Sequence, residues 1–315
     1  MQNANFPEVQ ATTVAPIMPE RTSARDRTAS RAFLMPTVLL ILALSVFPLV
    51  FSLVLAFMSW DLSRLEGGVR FIGLKNFATL VTDPRFWNTA RNTIFFVFGA
   101  VGLQYCLGLG LALLLNQDIR GRRFFRVAFL IPMMLTPAAV AYVGRMLFNE
   151  SMGPINDIIK HLGGPVIPWL SNPRLAMPSL ILLDTWEWVP FMTIVLLAGL
   201  QSLPPEVFEC ARVDGASEWS IFRHITFAML APVSITVIVI RALEAFKLFD
   251  IVMVMTGGGP GTATETVTMY AYIVGMKNGN LGYASAIAYS LLVMVIIFST
   301  IFLNSLRGRA AAVEG

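Results

Sequence analysis

The residues of this chain best able to do chemistry are charged groups set inside apolar runs. Asp184, Trp186, Glu187 and Trp188 stand together near the outer end of one run, and Arg241, Glu244, Lys247 and Asp250 recur at three-residue intervals in another. Indoles beside carboxylates suit a polyhydroxylated ligand, because aromatic faces pack on C–H surfaces while carboxylates accept hydroxyl hydrogens. Tryptophan equally anchors helices at a membrane interface, so both readings stand for Trp186 and Trp188. The second group winds around a helix with each neighbouring pair in reach. It forms either a self-neutralising ion-pair ladder or part of a polar path, and both place it away from lipid.

Other chemistry finds little footing. The carboxylates Asp184 and Glu187 alone do not make a catalytic constellation. His161 and His224 lie in separate polar stretches without Cys or Glu at ligand spacing, and Cys106 and Cys210 have the spacing of neither a disulfide framework nor a zinc site. The glycine-rich turn from Thr256 to Thr262 has the look of a phosphate-binding loop, yet no Gly-Lys followed by Ser or Thr occurs there. No cofactor or metal is therefore expected on this chain.

These groups sit in an unusual setting. Of 315 residues, 56% are hydrophobic and only 13% charged, with a mean hydropathy of +0.69. A soluble domain carries about 25% charged residues and needs them to cover its core. The formal charge of +4 is spread in short clusters beside apolar runs, unlike the continuous basic stripe of a nucleic-acid binder.

A helix of about 20 apolar residues crosses the hydrocarbon core. No charge occurs between Arg31 and Asp61, Arg91 and Asp118, or Lys277 and Arg307. Val127 to Phe148 is apolar except for Arg145, whose long side chain can snorkel to water. Pro178 to Leu200 and Ala231 to Thr256 carry the charges described above. The expectation is an all-α polytopic membrane protein of about six spans. It comprises a tail over 1–30, a membrane domain over 31–306 and a second tail over 307–315. Arg120, Arg122, Arg123 and Arg126 in one short link, with the arginines of both tails, place the two termini on the cytoplasmic side. The loop from Trp60 to Arg91, with charges of both signs, weakens that signal, while Glu150 to Met177, broken by glycines and prolines, reads as a compact outer loop. Gly102, Cys106 and Gly110 form a small-residue stripe suited to close helix approach.

The loop over 201–231 carries the most information. Pro204 and Pro205 suit a helix start, Glu209 and Arg212 stand at pairing distance, Asp214-Gly215 breaks the helix, and Ser217 can cap a second one bearing Trp219 and Phe222. Two short helices at a fixed angle result, with an aromatic ridge fit for a groove on another protein. Glu209-Cys210-Ala211, then Gly215, then Ile225 resembles the cytoplasmic loop of bacterial ABC importer permeases of the carbohydrate-uptake branch, the maltose and glycerol-phosphate type. Cys210 stands where that pattern has alanine, and Phe227-Ala228 where it has Leu-Pro. Phe71-Ile72-Gly73-Leu74-Lys75-Asn76-Phe77, Phe249-Asp250, Thr264-Glu265-Thr266 and Gly282-Tyr283-Ala284-Ser285-Ala286 extend the resemblance over most of the chain.

The resemblance implies a permease subunit that is not itself an enzyme. It implies a second, similar permease, two copies of an ATPase that bind ATP and Mg, an extracytoplasmic solute-binding protein, a sugar-type substrate and a site in the bacterial inner membrane. Glu209, Ala211, Asp214, Gly215, Ala216, Trp219, Phe222 and Ile225 would then shape the docking element for the ATPase. The competing reading, a secondary transporter driven by an ion gradient, rests only on the intramembrane charges, and no internal repeat accompanies it.

Overall fold

Long apolar runs leave the backbone no partner but itself in a membrane, so they fold as helices even where a proline lies inside, as at Pro190 and Pro232. The computed structural model describes residues 24–62, 68–117 and 121–311. Most of the expected first tail, with Arg120 and the end of the second tail, lies outside the described residues.

The segment up to Phe51 is a unit by itself. It comprises α1 (Ala24–Ile41), one π-helical turn (Leu42–Val46) and the start of α2 (Phe47–Ala56). The 24-residue stretch Phe33–Ala56 is long and apolar enough to cross a membrane, and its most apolar window is unburied within the chain. Side chains such as Phe33, Leu44 and Phe47 point outward all along it.

The unit from Ser52 onward holds the remaining elements. A two-stranded antiparallel ribbon, β1 (Met58–Ser59) with β2 (Arg70–Phe71), precedes α3 (Lys75–Thr82). The buried amide of Asn76 donates to the carbonyls of Ala56 and Met58 at 2.8 and 3.0 Å, which fixes the elbow after the first span. Next comes α4 (Pro84–Asn116), whose N-terminus is capped by Asp83 accepting from the Arg85 amide at 2.9 Å.

Val127 to Phe148 does not form the single straight span that its hydropathy suggests. It divides into α5 (Arg122–Met134) and α6 (Pro137–Leu147), and the stretches Val127–Met134 and Pro137–Leu147 meet at 99°. Pro132 removes a donor inside α5, and Pro137 follows Thr136, whose hydroxyl caps α6 by accepting from the Ala139 amide. Each half is too short to cross alone. The outer loop carries α7 (Pro154–His161) and is folded around buried Asn156, which binds the carbonyls of Glu150 and Ile167, the Ile167 amide and the Trp169 indole.

The central helix is α8 (Pro173–Gln201), packed along α4 through Phe96, Val97, Leu180, Met192 and Leu196. After α9 (Pro205–Val213), the stretch of α10 (Glu218–Ile221), a π turn (Phe222–Thr226) and α11 (Phe227–Phe246) runs as one 29-residue helix, Glu218–Phe246. The expected second short helix is therefore the first turns of the fifth span. That span ends at Phe246, earlier than the expected Thr256, and α12 (Asp250–Met255) starts a new direction packed on α6 and α8. Finally α13 (Val267–Tyr272) leads through a π turn (Ile273–Lys277) into α14 (Leu281–Ala311). Among the described residues five helices are long and apolar enough to cross a membrane, or six with the bent pair taken as one span.

The glycines that permit close approach are not those of the expected stripe. Gly102 and Gly110 face open space and Cys106 is exposed. Gly108 is the contact point, since a Cβ there would lie 2.6 Å from the Met192 Cβ on α8.

Candidate functional site: a hinged loop and a buried polar cluster

The loop's geometry follows from its sequence. The Gly215 amide donates to the Arg212 carbonyl at 3.1 Å and the Ala216 amide to the Ala211 carbonyl at 3.0 Å. This pair of bonds is a Schellman closure of α9, and it requires a left-handed residue at Gly215, whose φ is +77°. Two residues later the Ser217 hydroxyl accepts from the Ser220 amide at 3.3 Å and starts α10. The stretch Ala211 to Ser217 thus encodes one helix stop followed at once by one helix start. Arg212 bridges the turn to Glu218 at 3.0 Å, in place of the expected partner Glu209. Both groups of that pair are exposed, so it adds about 1 kcal/mol at most.

The outer surface of the hinge is apolar as well as charged. Val213 is 87% exposed and Trp219 is 68% exposed, with the Phe222 ring 5.5 Å from the Trp219 ring. Glu209, Asp214 and Gly215 are exposed beside them, whereas Ala211, Ala216 and Ile225 are half-buried. On its inner side, Phe208 and Ile221 share a cavity of about 400 Å³ with Leu113 and Asn116 of α4 and Leu200 of α8. The hinge is therefore seated on the ends of two spans.

The intramembrane charges sort differently from the expected ladder. Arg241 turns away from Glu244 and forms a buried ion pair with Asp184 of α8. Its Nε donates to Gln104 Oε1 of α4 at 2.9 Å, and Gln104 Nε2 donates to Asp184 Oδ2 at 2.7 Å. The guanidinium lies 4.7 Å from the Trp188 ring centroid. One closed ring of polar contacts thus ties α4, α8 and α11 together. Burial explains why Asp184 is preferred to Glu244: a charge out of water needs full pairing, and Asp184 is buried with Arg241 whereas Glu244 is exposed. Glu244 pairs with Lys247 at 2.7 Å on a more exposed surface, and Asp250 belongs to the next helix.

Asp184, Glu187, Trp188, Arg241, Glu244, Lys247 and Asp250 line one cavity of about 120 Å³ together with Pro137 at the start of α6. Trp186 is not among them, and 45% of it is exposed on the outer surface of α8. Gln104 is the residue that sequence reading missed. Its signal was an amide inside a charge-free run, where a lone polar side chain demands a partner.

A second polar group clamps the start of α4. Arg85 binds Glu265 through two hydrogen bonds of 3.0 and 2.9 Å, and Asn88 and Asn92 hold the Thr262 carbonyl. The hydroxyls of Tyr270 and Tyr283 both donate to Asp83 Oδ2 at 2.6 Å. Burial alone would raise the Asp83 pKa, but these bonds and the amides of Arg85 and Phe86 hold it below the ordinary aspartate range. Burial and the bond to Asp83 push Tyr270 up to about 12.

Comparison with known proteins converges on one group. Residues 104–310 match the family described as binding-protein-dependent transport system inner membrane component. The chain is 37% identical over 239 residues to the trehalose/maltose transport system permease protein MalF of Thermococcus litoralis, covering 76% of this chain and 81% of that one. It is 32% identical to the sulfoquinovosyl glycerol transport system permease protein SmoG of Agrobacterium fabrum, over 93% of this chain and 100% of the relative. Among solved structures, a chain of a bacterial alginate ABC transporter superposes with a TM-score of 0.77 at 22% identity, over 88% of this chain and 93% of that chain, which shows a shared fold. The chain belongs to the family of binding-protein-dependent transport system inner membrane components.

Proposed function

We propose that this chain is a membrane subunit of an ATP-driven ABC importer for a carbohydrate or carbohydrate derivative. It forms the translocation path with a second, similar permease. Two copies of a separate ATPase hold the ATP and Mg, and this chain holds no cofactor. A solute-binding protein delivers the substrate from the outside, and both termini face the cytoplasm. The observation that carries the reading is the continuity of the Glu218–Phe246 helix. At one end it is part of the exposed hinge with Trp219, and at the other it holds Arg241 in the ring that binds α4 and α8.

The mechanism follows from that continuity. The hinge presents Val213, Asp214 and Trp219 to the ATPase, and Glu209, Ala211, Gly215, Ala216, Phe222 and Ile225 set its shape. Closure of the ATPase dimer moves the hinge and thereby tilts the helix, whose far end carries the cavity lined by Asp184, Glu187 and Trp188. Access alternates because ATP-bound and ATP-free partners favour different tilts. The related trehalose/maltose and sulfoquinovosyl glycerol permeases support the carbohydrate class.

Gly215→Val tests the coupling. A Cβ at Gly215 meets no atom within 4 Å, so the substitution strains only the backbone at φ +77°, by about 1–2 kcal/mol. That is enough to move the hinge without disturbing the spans. Uptake by proteoliposomes holding the whole complex should fall sharply at normal membrane abundance, with ATPase association weakened or unproductive. Uptake and association both at wild-type levels would sink the coupling role of the loop.

A further inference from the structure

The buried cluster leaves one acceptor unanswered. Glu187 is 2% exposed, and its Oε2 has no hydrogen-bond partner among the described residues. An unpaired buried carboxylate oxygen is costly, so a site that keeps one is built for a donor that arrives. Glu187 lines the 120 Å³ cavity, which has room for about four waters or for one hydroxylated edge of a sugar ring.

The charge of that cavity narrows the ligand. Asp184, Glu187 and Trp188 come from α8, Arg241 and Glu244 from α11, Lys247 from the break after it and Asp250 from α12. Arg241 is committed to Asp184 and Gln104, and Lys247 to Glu244. Four carboxylates thus stand against two cations, each cation already in a pair, and Glu187 and Asp250 form no ion pair among the described residues. A group entering here meets acceptors and surplus negative charge. An incoming carboxylate, sulfonate or phosphate would have to compete with those carboxylates for a cation.

Resting on the carbohydrate path proposed above, we propose that Glu187 is a specificity-determining residue: it accepts a hydroxyl hydrogen from a neutral sugar and excludes sugars that present an anionic group to this cavity. Trp188, held against Arg241, supplies the apolar face beside it.

The test uses the whole permease–ATPase complex in nanodiscs without ATP and without the binding protein, whose own selectivity would mask the effect. Saturation-transfer NMR reads weak binding of trehalose, maltose and sorbitol against glucuronate, a digalacturonate and glucose 6-sulfate. Wild type should bind at least one neutral sugar about tenfold more tightly than any anionic one. Glu187→Gln should bring the two classes within about threefold, and Glu187→Ala should weaken the neutral sugar about tenfold. Anionic sugars binding wild type as tightly as neutral ones would overturn the proposal, and that comparison decides even if a variant fails to assemble. If Trp188→Ala weakens binding while Glu187→Gln leaves discrimination unchanged, the path stands and the filter falls. If no sugar binds, or neither Trp188→Ala nor Glu187→Ala alters binding, the path reading itself falls.

Discussion

Replacing Arg241 by methionine isolates what the buried ring contributes. Methionine keeps the apolar stem and removes the guanidinium, so Asp184 loses its counter-ion, Gln104 Oε1 loses its donor at 2.9 Å and Trp188 loses the cation over its ring. The side chains of Arg241 and Asp184 are 2% and 3% exposed, so water cannot replace the lost partner. Breaking such a pair costs about 3–5 kcal/mol, and the losses at Gln104 and Trp188 overlap with that figure because all belong to one network. For a chain of this size about 2 °C of melting temperature accompanies each kcal/mol, giving a fall of about 6–10 °C. Asp184→Asn added to Arg241→Met removes the stranded charge but keeps an acceptor for Gln104, so the double variant should regain most of the loss. Thermal loss of the monodisperse peak of the detergent-purified complex in fluorescence-detected size exclusion measures both. A drop below about 2 °C in the single variant, or a double variant no better than the single, would refute the view that Arg241 is there to balance Asp184.

Three further outcomes are expected. Gly108→Ala should lower the melting temperature of the complex through about 1–3 kcal/mol of overpacking between α4 and α8, whereas Gly110→Ala, which meets no atom within 4 Å, should not; equal effects would contradict the packing. Since hydrogen bonds hold the Asp83 pKa low, its stabilisation is complete above the ordinary carboxylate value and is lost as pH falls through the lower folded value. The stability gap between wild type and Asp83→Asn should accordingly stay constant from about pH 8 to 5 and close only below about pH 4, and a gap that changes between pH 8 and 6 counts against the clamp. With single cysteines on a background lacking Cys106 and Cys210, a membrane-impermeant maleimide applied to intact cells should label Ser151 or Leu162 replaced by cysteine and spare Trp219 replaced by cysteine. The reverse pattern would invert the proposed topology.

How far the sequence speaks depends on whether the deciding contact is local. Charge-free runs declare α4 and α14 because a missing charge over about 20 residues has no other use. The hinge is legible for the same local reason: a glycine two residues before a serine cap encodes a helix stop and a helix start within one short stretch. The bend between α5 and α6 was harder to read, because hydropathy averages over direction, although Pro132 and Pro137 were in plain view. In the cluster, helical spacing settles only the Glu244–Lys247 pair, because burial decides the partner of Arg241. Arg241 and Glu244 stand one turn apart and do not pair, because Asp184, 57 residues away in sequence, is buried with Arg241 and Glu244 is not. Gln104, 137 residues from Arg241, is visible only as an amide in apolar company until the fold supplies its partners.

The same long-range ring constrains how a signal can travel under the proposed function. Trp219 and Arg241 lie on one helix, 22 residues and about 33 Å apart. A rigid helix cannot change its tilt at the hinge without moving Arg241, and Arg241 is bonded to both α4 and α8. Motion must therefore either carry α4 and α8 along or break the ring. The inner side of the hinge favours the first course, since Phe208 and Ile221 also touch the cavity shared with Leu113 of α4 and Leu200 of α8. Those two spans are held at both levels, by apolar packing near the hinge and by hydrogen bonds around Arg241. The π turn over Phe222–Thr226, with Pro232 one of two irregularities within that helix, lies between Trp219 and the ring. It is where small hinge displacements can be absorbed before reaching Arg241, so only a displacement larger than the turn can absorb moves the cavity.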